Sequence, residues 1–129
     1  MAGDDAGALL EGTVQERDER WHLVRVVFSG GALWLRDSGV PAGQRVRLRV
    51  LARDVSIATQ PPQGTSIQNI LPCTVDRIAP DDHPSQVVVR LACGDAFLLA
   101  RVTGRAADAL ALTPRMRVWA QVKSVALVG

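Results

Sequence analysis

Alternation with a period of two runs through most of this chain, and it restricts what the chain can fold into. Val46, Leu48 and Val50 alternate with Arg45, Arg47 and Arg49. Val87, Val89, Leu91 and Cys93 fall on one face of residues 86–93, and Met116, Val118, Ala120 and Val122 on one face of residues 115–123. Successive side chains on a strand point to opposite faces, so this pattern predicts antiparallel strands with one face buried. Further strands are predicted at 10–17, 21–28, 32–36, 55–59, 69–78 and 96–102. Ser29-Gly30-Gly31 reads as a tight hairpin, and Asp81-Asp82-His83-Pro84 and Cys93-Gly94-Asp95 as loops. One helix is expected over 104–110, capped by Thr103 and ended by Pro114, with Ala106, Ala109 and Leu110 facing inward. Short strands at close spacing with one short helix predict an all-β, closed or nearly closed small barrel.

The pattern occurs twice. Gly12-Thr13-Val14 lines up with Cys73-Thr74-Val75, and Arg45-Val46-Arg47-Leu48 with Arg115-Met116-Arg117-Val118. Arg53-Asp54-Val55 falls opposite Lys123-Ser124-Val125. Two copies of one β unit, each too small to bury its own face, are expected to pack together. Pro61-Pro62 breaks any strand and marks a linker. The organisation predicted is a disordered lead-in over 1–8, a first half over 9–60, and a second half over 61–129 that carries the helix.

Composition removes several classes of function. A formal charge of +2 is too small for the basic face of a general nucleic-acid binder. Trp21, Trp34 and Trp119 are widely spaced and read as packing residues rather than a base-stacking platform. No apolar run approaches the roughly 18 residues of a membrane span. Cys73 and Cys93 form no Cys-x-x-Cys pair and have no nearby histidine in sequence, so no zinc site is expected. They read as two reduced, half-buried thiols, since nothing suggests secretion. No Walker loop or Ser–His or Cys–His nucleophile motif is present, and Asp81 and Asp82 beside His83 read as a solvated turn. The chain is therefore expected to be non-catalytic and to hold no cofactor.

Two polar segments remain. One is Thr65-Ser66-Ile67-Gln68-Asn69, after the Pro-Pro linker; the other is Lys123-Ser124 near the C-terminus. Both are rich in hydrogen-bond donors and neither contains a carboxylate. A tetrahedral dianion accepts hydrogen bonds and donates none, so hydroxyls, backbone N–H groups, an amide and one ammonium suit it. Lys123 is the single lysine among the 15 basic residues. From the motif alone, a Thr-Ser-x-x-Asn loop before a strand is more often simple turn chemistry, in which side chains satisfy local backbone groups.

The stretch Thr65-Ser66-Ile67-Gln68-Asn69-Ile70-Leu71, with Val75 after it, resembles the Thr-Ser-x-Arg-Asn-x-Leu opening of molybdate-binding Mop modules. Ala120-Gln121-Val122-Lys123-Ser124-Val125 is similar to their closing Ala-x-Val-Lys-Ser-Val strand. Arg53-Asp54-Val55-Ser56 resembles the Asp-Val-Ser strand of the TOBE (transport-associated OB) tails of molybdate-type ABC transporter ATPases. The resemblance spans most of residues 10–128. It implies an OB-like β-barrel, built from tandem TOBE and Mop halves, that binds molybdate or tungstate and regulates an importer from the cytoplasmic side of the membrane. It also implies a homodimer, an attached ATPase domain and a membrane permease as partners, and no nucleic acid. Ser66, the backbone at Ile67 and Gln68, Lys123 and Ser124 would line the oxyanion site, with Thr65 and Asn69 supporting it. Gln68 stands where the family usually has arginine, which removes a charge. In the first half Asp5, Ala8 and Asp54 fall where Ser66, Asn69 and Ser124 sit, so that half is expected to hold no site. Two alternatives stay open: a structural dimerisation tail without ligand, and a stand-alone intracellular molybdate-binding protein.

Overall fold

The computed structural model describes residues 6–128. Ten strands form in the order β1 (Gly7–Asp18), β2 (Leu23–Phe28), β3 (Gly31–Arg36), β4 (Arg45–Leu51), β5 (Val55–Ala58), β6 (Asn69–Pro80), β7 (Gln86–Cys93), β8 (Ala96–Thr103), β9 (Arg117–Val122) and β10 (Ala126–Leu127). A 3-10 turn, Ala52–Asp54, separates β4 from β5, and one helix, α1 (Gly104–Ala109), follows β8. Residues 1–5 of the expected lead-in lie outside the described residues; Gly7 and Ala8 already belong to β1.

The strands build two curled five-stranded antiparallel sheets, ordered β10-β4-β1-β2-β3 and β5-β9-β6-β7-β8. The two orders are the same, except that the outermost strand beside β4 and β9 comes from the opposite half: β5 pairs with β9, and β10 with β4. Each half thus completes the other's sheet. The repeat extends to irregularities. A bulge falls between Val14 and Glu16 in β1 and between Val75 and Arg77 in β6. Thr13 pairs with Arg45 and Thr74 with Arg117, so Arg45 corresponds to Arg117 and not to Arg115. The sequence alignment is off by two residues there. A two-residue slip leaves every side chain on its own face, so the alternation could not reveal it.

The alternating faces meet in one apolar cluster drawn from both sheets, in which Leu33, Leu48, Leu91 and Leu98 are fully inaccessible. Burying one such side chain contributes about 1.5–3 kcal/mol. Val46, Leu48 and Val50 all point inward, as do Val118, Ala120 and Val122. The two hairpin tips touch backbone to backbone. A Cβ on Gly30 would stand 2.3 Å from the Cys93 carbonyl oxygen, and one on Gly94 would stand 2.4 Å from that of Ser29.

Several expectations need correction. Cys73 and Cys93 form a disulfide and are buried, not free thiols. The register of β6 on β7 sets them directly opposite, with Cα atoms 4.7 Å apart, inside disulfide range. Compartment arguments from sequence carry no information on that geometry. Trp21 does not pack: it lies in the β1–β2 turn, 64% exposed, with the Arg20 guanidinium 4.9 Å above its ring. Thr103 caps α1 as expected, its hydroxyl accepting from the Ala106 N–H, but Ala107 rather than Ala109 packs on the core with Leu110. Asp81 is not solvated. Its side chain is 4% exposed and pairs at 2.6 Å with Arg101, itself 8% exposed. The N–H of Asp82 first, and then Arg101, hold the Asp81 carboxyl below the usual carboxylate range.

Candidate functional site

Val122 ends β9 and has two neighbours. It pairs with Val55, the first residue of β5, and with Asn69, the first residue of β6. Three strands therefore begin or end at one place on the sheet rim. Asp54, Gln68 and Lys123 are the residues immediately beyond those two pairs, so the chain leaves the sheet at all three side by side. The two polar segments, 55 residues apart in sequence between Gln68 and Lys123, are brought together by this register and by nothing in their local composition.

Within the first segment, the Thr65 hydroxyl accepts a 3.1 Å hydrogen bond from the Ile67 N–H, which closes a local turn. Thr65, Ser66 and Gln68 are exposed and Ile67 is half-buried. In the second segment, Lys123 and Ser124 are exposed, and the Lys123 N–H donates to the Asp54 carbonyl at 2.8 Å. The three ion pairs among the described residues are Arg17–Asp37, Arg90–Asp76 and Arg101–Asp81; none includes Lys123.

The Asn69 side chain is engaged with β3. Its carboxamide oxygen accepts from the Trp34 N–H at 2.8 Å and its NH₂ donates to the Trp34 carbonyl at 2.8 Å. Gln68, next to it, lines an open cleft of about 600 Å³ with Asp18, Trp21, Leu23 and Trp34. Sequence reasoning missed two residues here. Asp54 was placed only in the first half's equivalent of the site, whereas the 3-10 turn sets its backbone against Lys123. Trp34 gave no signal at all, because its part is played by its backbone.

The segments that leave the sheet at this rim carry two serine hydroxyls, an amide and one ammonium, groups able to donate hydrogen bonds to an oxyanion. No group of three or more His, Cys, Asp and Glu residues among the described ones is arranged to hold a metal ion. Residues 65–128, which include every one of these groups, match the TOBE domain family.

The second half of the chain belongs to the TOBE domain family.

The TOBE chain is 53% identical over 126 residues to the molybdenum import ATP-binding protein ModC of Methylococcus capsulatus, an alignment that covers 98% of this chain. It is likewise 53% identical over 127 residues to ModC of Thiobacillus denitrificans, again over 98% of this chain. In both cases the match takes in 35% of the relative, so the chain spans about a third of these proteins' length and corresponds to their C-terminal part. Among solved structures, it resembles the cytoplasmic molybdate-binding protein ModG in its molybdate-bound form. The TM-score is 0.75 at 26% identity, covering 92% of this chain and 93% of that one.

Proposed function

We propose that the TOBE chain binds a tetrahedral dianion, molybdate or tungstate, at the rim where β5, β6 and β9 meet. The observation that carries this reading is the pairing of Asn69 with Val122, which makes Gln68 and Lys123 the neighbouring residues where β6 begins and β9 ends, so that the two polar segments leave the sheet at one edge. The likeness to a molybdate-bound structure supports it. Lys123 supplies the formal charge, the Ser66 and Ser124 hydroxyls and the Gln68 amide donate, and Thr65 shapes the loop. No covalent chemistry is required of any residue, and the reading is of a non-catalytic receptor.

The context proposed for it is regulatory. The ModC relatives carry a further two thirds of chain, and an ATP-binding domain there would couple to this module. Anion bound preferentially in one arrangement of paired modules would shift the attached ATPases toward that arrangement. The setting is the cytoplasmic face of the membrane, with a homodimer and a permease as partners. No helix among the described residues is long and apolar enough to cross a membrane.

A thermal-shift series tests the assignment. A ligand that binds only the folded state raises stability by about 2.7 kcal/mol at a hundredfold excess over its Kd. Sodium molybdate is expected to raise the midpoint of the wild type, and to raise it far less in Lys123→Ala and Ser66→Ala. Full shifts in both variants would place the anion elsewhere. Gln68 favours a second reading, a structural tail without ligand, which predicts no shift in the wild type either.

A further inference from the structure

β3 is the outer strand of its sheet, paired only with β2. Trp34 lies opposite Arg25, and its N–H and C=O both point off the edge, toward Asn69. A carboxamide offers a donor and an acceptor in one plane, as a peptide unit does. The Asn69 side chain therefore occupies the open edge as a single residue of an added strand would, with both bonds at 2.8 Å. These bonds join residues 35 apart and tie the first half to the second. The corresponding position in the other half is Ala8, which pairs with Val50 as Asn69 pairs with Val122. Alanine has no polar group, so the contact occurs only in the half that carries the polar rim.

We propose that Asn69 is a positioning residue, a latch through which the backbone of Trp34 holds the anion-binding segment in place. Asn69 begins β6 directly after Gln68, and Gln68 and Trp34 line the same cleft. The segment 65–68 thus enters the site from a point fixed on the first half. That half, which has no site of its own, acts as the organiser of its neighbour's site. Any movement between the halves is felt first at Gln68 and Ser66. This inference rests on the reading that the rim binds molybdate.

The test uses the full chain, titrated with sodium molybdate, together with hydrogen exchange at the Trp34 backbone amide. Asn69→Leu keeps the size of the side chain and removes the carboxamide. It is expected to lower molybdate affinity about tenfold, as the loss of two hydrogen bonds implies, and to release the Trp34 amide to fast exchange. Where Asn69→Leu does not fold, Asn69→Ser takes its place with the same two readouts. Wild-type affinity in the Asn69 variant, or a Trp34 amide that exchanges equally fast in the wild type, overturns the latch. A wild type that binds no molybdate overturns instead the functional reading beneath it.

Discussion

Gln68 sits at the rim without a charge, where the motif it resembles carries arginine. The only formal positive charge in the two segments is therefore Lys123, and Asp54 lies against it through the backbone bond between them. A dianion at this rim meets a net field that single residues can shift. A charge-assisted hydrogen bond is worth about 1.5–3 kcal/mol, against about 1 for a neutral one. Gln68→Arg is thus expected to tighten molybdate binding by about tenfold, and Asp54→Asn to tighten it by a smaller factor. Titration of both variants beside the wild type checks this; weaker binding by either would mean that its side chain does not face the anion. The two segments proposed to hold the anion stood out in the sequence because hydroxyls, an amide and a lysine without carboxylates make an unusual pair. Asp54 was not, since its approach to Lys123 depends on a 3-10 turn that no periodicity announces.

At the scale of elements, charged side chains hold the irregular connections onto regular strands. Arg17 on β1 pairs with Asp37 after β3, and also donates to the Val40 carbonyl. Arg17 first, and then the Gly39 N–H, keep the Asp37 carboxyl below its ordinary range. Asp81, at the end of β6, is held down in the same direction by the Asp82 N–H and Arg101. A carboxyl whose value is lower in the folded state contributes stability above its unfolded value, which is lost as pH falls through the folded one. Urea midpoints are therefore expected to hold steady above about pH 5 and to drop below about pH 4. Asp37→Asn and Asp81→Asn should each flatten that drop; an unchanged acid limb in both would contradict the assignment. Nine of the ten strands follow from the alternation. β10 escaped because two residues are too few to alternate, although the repeat already set Val125 against Val55. The Asp81 pair escaped because a run of Asp-Asp-His-Pro reads as solvent-facing until Arg101, 20 residues on, folds back over it.

On the scale of the whole molecule, the chain is two copies of one β unit that have exchanged their last strands. Neither sheet is complete without the other half, and the apolar cluster runs through both. The exchange also explains the place of the rim. β5 belongs to the first half and supplies the strand beside β9, so a site assigned to the second half is walled on one side by the first. Repetition of pattern was visible in the sequence, but strand exchange was not, since the same alternation serves either partner. The asymmetry between the halves lies in side chains: Asn69 against Ala8, and Lys123-Ser124 against Arg53-Asp54. That asymmetry is the ground for proposing one anion-binding rim per chain. Isothermal titration of the wild-type chain with sodium molybdate, with sulfate as control, tests this most directly. Saturation near one molybdate per chain, with no comparable heat from sulfate, is the expected result. Two molybdates per chain, or no heat from a folded protein, would contradict it.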